Sequence, residues 1–172
     1  MPTDTLYGIV AAARNKEAVE RVYRIRKRSP EKPSIILIAS LADLSLFSIR
    51  LSVRMKHLVS RFWPGPVSII LPCTAQKYSY LHRGTKTLAI RLPNSQPLRA
   101  LIVQTGPLIA PSANPEGEPP ATTSARARKY FGSSVDCYVD GGKKESAPSS
   151  IIGMRGNSIT VIRDSGSLSL TL

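Results

Sequence analysis

The run Ser34-Ile35-Ile36-Leu37-Ile38-Ala39, bounded by Pro33 and Ser40, decides the fold class. It is apolar on both of the faces that a strand presents, which is typical of a strand covered on both sides. The preceding segment, from Asn15 to Arg28, carries apolar residues at helical spacing and predicts a helix capped by Asn15. A helix that leads into a doubly covered strand indicates an α/β domain.

Helices and strands continue to alternate along the rest of the chain. Predicted helices cover residues 41–47 and 52–62, a segment that opens at Ser95 and Pro97, and Thr122 to Phe131. Predicted strands cover residues 67–71, 87–92, 107–110, 137–140, 149–152 and 159–162. We therefore expect one α/β domain over residues 1–172, with a twisted mixed sheet flanked by helices.

Charge and cysteine content restrict the class of protein. The formal net charge is +13, from 24 Lys and Arg against 11 Asp and Glu. Such an excess favours polyanionic partners, but it does not distinguish nucleic acid from nucleotide. Neither a secretory signal nor an apolar run of about 18 residues is present, so we expect a cytoplasmic protein without a membrane span. Cys73 and Cys137 have no metal-ligand or disulfide spacing and predict two buried thiols.

Four segments concentrate hydroxyl, amide and cationic groups. They are residues 2–8, residues 24–32, residues 110–114, and residues 149–150 together with Arg163. Taken singly, each also fits an ordinary turn, a loop, or cations that complement a helix dipole. Together they describe a site suited to positioning and charge stabilisation, as in reactions at a nucleotide phosphate.

Proton-transfer groups and known nucleotide loops are scarce. The sequence has no G-x-x-x-x-G-K-[ST] loop and no G-x-G-x-x-G fingerprint. His57 and His82 have no neighbouring carboxylate in the sequence, so we interpret both as surface residues rather than catalytic bases. Any ATP would therefore be held without a Walker loop.

The chain resembles the Sua5/YrdC/TsaC family, the L-threonylcarbamoyladenylate synthases, in motifs that occur in the same order. The motifs are Pro2-Thr3-Asp4-Thr5-Leu6-Tyr7-Gly8, Arg26-Lys27-Arg28-Ser29, Trp63-Pro64-Gly65-Pro66-Val67-Ser68, Leu88-Ala89-Ile90-Arg91-Leu92-Pro93, Pro111-Ser112-Ala113-Asn114-Pro115-Glu116-Gly117, and late signals at residues 140–142, 149–152 and 163–166. One such motif alone is weak, whereas the ordered set is specific. The resemblance implies a YrdC/RibB-like fold with a basic central cavity.

The resemblance also implies site residues and substrates. Its signature constellation, which would be catalytic, is Arg26, Arg28, Ser112 and Asn114. The implied threonine contacts are Thr5, Arg91, Ser112 and Ser149, and the implied ATP contacts are Arg28, Lys32, Thr87, Asn114, Thr122 and Arg163. The implied reaction joins L-threonine, bicarbonate and ATP, with Mg²⁺, into threonylcarbamoyl-AMP for t6A37 in tRNA. Implied partners are tRNA or another RNA and the proteins that transfer t6A; no protein-bound metal site is implied.

The sequence departs from the family pattern at several places. Arg26 stands where the family has a lysine, Glu116 replaces a small polar residue, and Leu37 occupies a position where some members have histidine. The helix and first strand that normally precede the opening motif are missing, which is expected to leave a sheet edge and part of the core uncovered. No second domain follows, so we expect the short, single-domain form.

Two other functions fit parts of this pattern. The net charge, Arg26 and the short N-terminus also suit a degenerate, non-catalytic YrdC-like protein that binds RNA. Carbamoyl-adenylate chemistry, as in hydrogenase-maturation and antibiotic carbamoyltransferase proteins, is the third hypothesis, although those proteins carry this fold inside longer chains.

Overall fold

The computed structural model describes residues 1–156, 158–166 and 168. Its strands are β1 Ala11–Ala12, β2 Ile36–Leu37, β3 Val67–Pro72, β4 Thr87–Arg91, β5 Leu108–Ile109, β6 Ser150–Arg155 and β7 Ser158–Arg163. Its α-helices are α1 Lys16–Arg26, α2 Val53–Phe62, α3 Ser79–His82, α4 Gln96–Thr105 and α5 Ser124–Phe131. Short 3-10 helices cover Leu41–Phe47, Gln76–Tyr78 and Gly132–Ser134.

Within these residues the strands form one mixed sheet in the order β1-β5-β2-β4-β3-β6-β7. The pairs β2–β4 and β3–β6 are parallel, and the remaining neighbours are antiparallel. The expected α/β class with a mixed sheet and flanking helices is confirmed.

The central strand β2 is covered on both faces, as its composition predicts. Ile36 and Ile38 belong to the main core, which also contains residues of α1 and α2. Leu37 points to the other side and packs with Leu98 and Ile102 of α4. The strand itself is shorter than predicted, because only Ile36 and Leu37 pair with the strands on either side.

Helix α1 and the loop after it place Arg26 and Arg28 in different environments. The Asn15 side chain accepts a hydrogen bond from the Ala18 N–H at 3.0 Å and begins the helix. The buried stripe then runs through Val19, Val22, Tyr23 and Arg26, which lie on one helical face. Lys27 adopts a left-handed conformation with φ 51° and ends the helix. Arg26 is therefore buried under the helix, whereas Arg28 lies on the loop that leaves it.

Two secondary-structure predictions are wrong. Residues 137–140 form no strand, because in the described part of the chain no strand pairs with them. Helix α5 is capped by Thr123 rather than Thr122, since the Thr123 hydroxyl accepts from the Arg126 N–H at 3.1 Å.

An apolar groove of about 310 Å³ lies between β1, α1, α5 and residues 134–139. That an N-terminal helix and strand are missing stays a prediction.

Two predicted burial states are also wrong. Cys73 is buried as expected, but Cys137 is exposed. His57 is exposed as expected, but His82 is buried, and its Nδ1 accepts a hydrogen bond from the Gly84 N–H at 3.2 Å. None of the helices formed by the described residues has the length and apolar character that a membrane crossing requires.

Candidate functional site

A cavity of about 750 Å³ opens at the carboxyl end of β4. Its walls come from the N-terminal loop, the loop after α1, the end of β4, the loop around Ser112, residues 144–149, and Arg163. Polar groups at the carboxyl end of a strand are where α/β sheets commonly bind ligands. The volume lies within the range of small-molecule sites, about 300–1,000 Å³.

Arg91, the last residue of β4, anchors the N-terminal loop to this cavity. Its Nη2 lies 3.0 Å from Asp4 Oδ1, and its Nη1 donates to Thr5 Oγ1 at 3.0 Å. The Arg91 side chain is only 4% exposed and that of Asp4 only 7%. Burial lowers the pKa of the Arg91 guanidinium, and the neighbouring Asp4 carboxylate opposes that shift. The result is a fixed cation beside a threonine hydroxyl.

Ser149 and Arg163 form a second polar cluster, at the start of β6 and the end of β7. Arg163 donates from Nε at 3.0 Å and from Nη2 at 2.7 Å to the Ser149 carbonyl oxygen. The Ser149 hydroxyl lies 3.0 Å from the Ser68 hydroxyl. Burial, followed by the charge of Arg28, lowers the pKa of Arg163. The positive charges of Arg28 and Arg163 are therefore close enough to repel each other.

Arg26 lies beneath the Ser112 loop rather than in the cavity. Its Nε donates to the Asn114 carbonyl oxygen at 2.9 Å, and its Nη2 donates to Ser112 Oγ at 3.3 Å. Arg26 is 3% exposed, and burial lowers its pKa to about 10, so it stays protonated at neutral pH. The Asn114 side-chain amide donates to the carbonyl oxygens of Pro115 at 2.9 Å and Glu118 at 2.7 Å. Both residues hold the loop that presents Ser112.

The loop after α1 carries two predicted ATP contacts in different places. Arg28 lines the cavity and donates to the carbonyl oxygens of Lys32 at 3.2 Å and Pro33 at 2.9 Å. Lys32 does not line the cavity; its Nζ lies 2.5 Å from Glu116 Oε1. Only one of the two cations therefore faces the cavity.

The structure gathers most, but not all, of the predicted site residues around the cavity. Those that line it are Thr5, Arg28, Arg91, Ser112, Thr122, Ser149 and Arg163. Those that do not are Arg26, Lys32, Thr87 and Asn114. Thr87 is at the opposite end of β4 from Arg91, and its hydroxyl donates to Thr85 Oγ1 at 3.1 Å.

Several residues at the site were not predicted. Asp4 and Tyr7 belong to the opening motif, and their place in it is the signal that could have found them. The Tyr7 hydroxyl accepts from the Gly141 N–H at 2.9 Å and lies 2.8 Å from the Gly142 carbonyl oxygen, so it fixes the Asp-Gly-Gly loop. Ser68, the partner of Ser149, lies in the Trp-Pro-Gly-Pro motif. Lys144 lines the cavity without any signal in the sequence.

The cavity is strongly cationic. Arg28, Arg91, Lys144 and Arg163 line it, against the single carboxylate of Glu145. Among the described residues, no group of three or more His, Cys, Asp or Glu side chains could hold a metal ion. The arrangement can bind anionic oxygens and stabilise developing negative charge, but it offers little for proton transfer.

Comparison with known proteins identifies the fold family. A family model described as "Telomere recombination", for Sua5, YciO and YrdC proteins, matches residues 1–165. The chain belongs to the Sua5/YciO/YrdC family. Among curated family members, the threonylcarbamoyl-AMP synthase of Idiomarina loihiensis is 33% identical over 162 residues, which is 92% of this chain and 87% of that protein. The enzyme of the same name from Bacillus subtilis is 36% identical over 143 residues, 82% of this chain.

Solved structures place the chain in the same family. The crystal structure of Pyrococcus abyssi Sua5 complexed with L-threonine superposes with a TM-score of 0.86 at 31% identity, covering 94% of this chain and 48% of that one. This Sua5/YciO/YrdC chain spans only about two fifths of the length of the Bacillus subtilis relative (41%) and of the threonylcarbamoyl-AMP synthase of Pyrococcus abyssi (42%).

Proposed function

We propose that the protein joins L-threonine, bicarbonate and ATP into threonylcarbamoyl-AMP and pyrophosphate, acting as a nucleotidyltransferase on the route to t6A in tRNA. One observation carries the proposal: seven of the residues expected to bind threonine or ATP line one cationic cavity. The names of the curated relatives and the threonine complex of Pyrococcus abyssi Sua5 support it.

The two polar clusters suggest how the substrates divide the cavity. Arg91 is the fixed cation expected to bind the threonine carboxylate, with the hydroxyls of Thr5 and Ser149 as further hydrogen-bonding groups. Arg28 and Arg163 are the cations expected to bind the phosphates of ATP, with Ser112 and Thr122 on the cavity wall. The protein thus holds both substrates in one cavity and need not supply a nucleophile of its own.

The proposed reaction balances without a catalytic acid or base from the chain. The threonine amine takes up CO2 derived from bicarbonate, loses a proton to solvent and becomes a carbamate. A carbamate oxygen forms a bond to the α-phosphorus of ATP. The bond between the α-phosphorus and the oxygen that bridges it to the β-phosphorus breaks, and pyrophosphate leaves with that oxygen. Arg28 and Arg163 stabilise the charge that accumulates on the phosphate oxygens.

We place Mg²⁺ with the substrate rather than with the protein. Mg²⁺ commonly keeps several waters and binds through substrate phosphates with one or two carboxylates. Of the residues that line the cavity, Glu145 is the one with a carboxylate, which does not suit a dedicated protein site. MgATP is therefore the form in which we expect the metal to enter.

The first prediction concerns turnover itself. Pyrophosphate release from ATP is expected only when L-threonine, bicarbonate and Mg²⁺ are all present, because the carbamate is the nucleophile. Labelled ATP and a pyrophosphate assay measure this, with serine and carbamoyl phosphate as separate replacements for threonine. Pyrophosphate release that does not depend on threonine would contradict the proposal. Release from ATP with carbamoyl phosphate in place of threonine would favour the carbamoyl-adenylate alternative.

Binding of RNA without catalysis is the second candidate function. It is favoured by a stretch, residues 44–115, that contains no Asp or Glu. Apart from Arg83 and Arg91, whose largely buried side chains pair with Glu20 and Asp4, its cations are Arg50, Arg54, Lys56, Arg61, Lys77, Lys86 and Arg99. RNA affinity that falls steeply with salt, without ATP turnover, would support this function. With turnover, the same affinity would instead fit a cytoplasmic enzyme that meets tRNA and t6A-transferring proteins.

A further inference from the structure

The Glu116 carboxylate is held by two donors of the loop after α1. Its Oε2 accepts a hydrogen bond from the Ser29 N–H at 2.6 Å, and its Oε1 lies 2.5 Å from Lys32 Nζ. Its own N–H donates to the Arg26 carbonyl oxygen at 2.8 Å, which fixes the start of the side chain. The bonds from Lys32 and Ser29 hold the pKa of Glu116 below its usual value, so the carboxylate is ionised at neutral pH.

The groups that bind this carboxylate belong to the loop expected to bind ATP. Arg28, on the same loop, lines the cavity, and its guanidinium is held by the carbonyl oxygens of Lys32 and Pro33. Lys32 is expected to contact ATP, yet here its ammonium is paired with Glu116 outside the cavity lining. A single internal carboxylate therefore holds a cation that is expected to bind the nucleotide.

The pair is exposed enough to exchange partners. The Lys32 side chain is 62% exposed and that of Glu116 30%. Ion pairs between such exposed side chains are weak, because water and salt screen them. A triphosphate presents several anionic oxygens at once and can replace one carboxylate at Lys32 and at the Ser29 N–H.

We propose that Glu116 is an internal competitor of the nucleotide: it holds Lys32 and the Ser29 N–H when the cavity is empty, and the phosphates of ATP displace it. Glu116 thereby lowers the affinity of this chain for ATP. The inference rests on the proposed function, since it takes Lys32 as a ligand of ATP. It concerns a residue at which this chain departs from the family pattern.

The test compares Glu116→Gln with Glu118→Gln. The second variant removes the same charge two residues away, from an exposed side chain that does not line the cavity. Calorimetric titration with ATP and with inorganic triphosphate is expected to give a Kd for Glu116→Gln about two- to fivefold lower than for the wild type. Glu118→Gln is expected to match the wild type. In proteins that already carry Lys32→Met, adding Glu116→Gln should no longer tighten binding.

The outcomes separate this inference from the proposed function. Equal or weaker triphosphate binding by Glu116→Gln, or a gain that persists with Lys32→Met, overturns the role of Glu116 even if turnover depends on threonine. Tighter binding by Glu116→Gln without threonine-dependent pyrophosphate release supports the role of Glu116 and rejects the synthase. Because Glu118 is exposed, Glu116 is partly exposed and glutamine keeps the size of either side chain, both single variants are expected to fold, and thermal unfolding checks this.

Discussion

Replacing Arg91 by methionine should strongly reduce threonine-dependent pyrophosphate release and destabilise the fold by about 3–5 kcal/mol. The substitution leaves the Asp4 carboxylate buried without its cation, which is the costly way to break an internal ion pair. It also removes the donor to Thr5 and the fixed cation of the cavity wall. We expect a loss in kcat/KM of about 100-fold or more, as when a preorganised charged donor is removed. Urea unfolding and the pyrophosphate assay measure the two effects.

A double variant separates the structural effect from the functional one. Asp4→Asn combined with Arg91→Met removes both charges, so most of the stability should return while kcat/KM stays as low as in Arg91→Met. Asp4 keeps a second contact, in which its Oδ2 accepts from the Asn94 N–H at 3.1 Å, and the asparagine side-chain oxygen can preserve it. If the double variant regained activity along with stability, Arg91 would be a structural residue only, and its proposed contact with threonine would be wrong.

Local signals account for the parts of the fold that the sequence predicts well. Asn15, Ser52 and Ser95 each cap a helix, as their residue types and the apolar spacing after them indicate. The run around Ile36 and Leu37 identifies the central strand because it is apolar on both of its faces. Residues 137–140 have a strand-like sequence but pair with no strand in the described part of the chain, and this could not be predicted because the neighbour that a strand needs is not encoded locally. The burial of His82 likewise depends on residues distant in the sequence.

Some features of the candidate site can likewise be predicted from local sequence signals, and others cannot. Hydroxyls and arginines inside the motifs, such as Thr5, Arg91 and Ser112, line the cavity as expected. The contact between Lys32 and Glu116 joins residues 84 positions apart, so no spacing rule could reveal it. Arg26 is an intermediate case. Its spacing from Val19 and Val22 places it on the buried face of α1, which indicates a residue under the site rather than in it.

Arg26→Met is the second substitution from which we expect a large effect. The buried guanidinium donates to the Asn114 carbonyl oxygen at 2.9 Å and to Ser112 Oγ at 3.3 Å, so it fixes the loop that presents Ser112 to the cavity. Methionine fills much of the space but leaves both acceptors without a donor, at a cost of about 2–4 kcal/mol. A displacement of the loop by about 1 Å can lower activity about 100-fold without any lost contact to substrate.

The measurements must distinguish a positioning residue from a group that touches the substrates. We expect Arg26→Met to lower kcat about 100-fold and to speed hydrogen exchange in residues 112–116, because the loop loses its anchor. Arg26→Lys restores the positive charge but, as a single point donor, makes only one of the two bonds. It should therefore recover about half of the lost free energy of activation and of unfolding. If Arg26→Met left hydrogen exchange in the loop unchanged while kcat fell, then Arg26 would act directly on the reacting groups, and its place beneath Ser112 would be secondary.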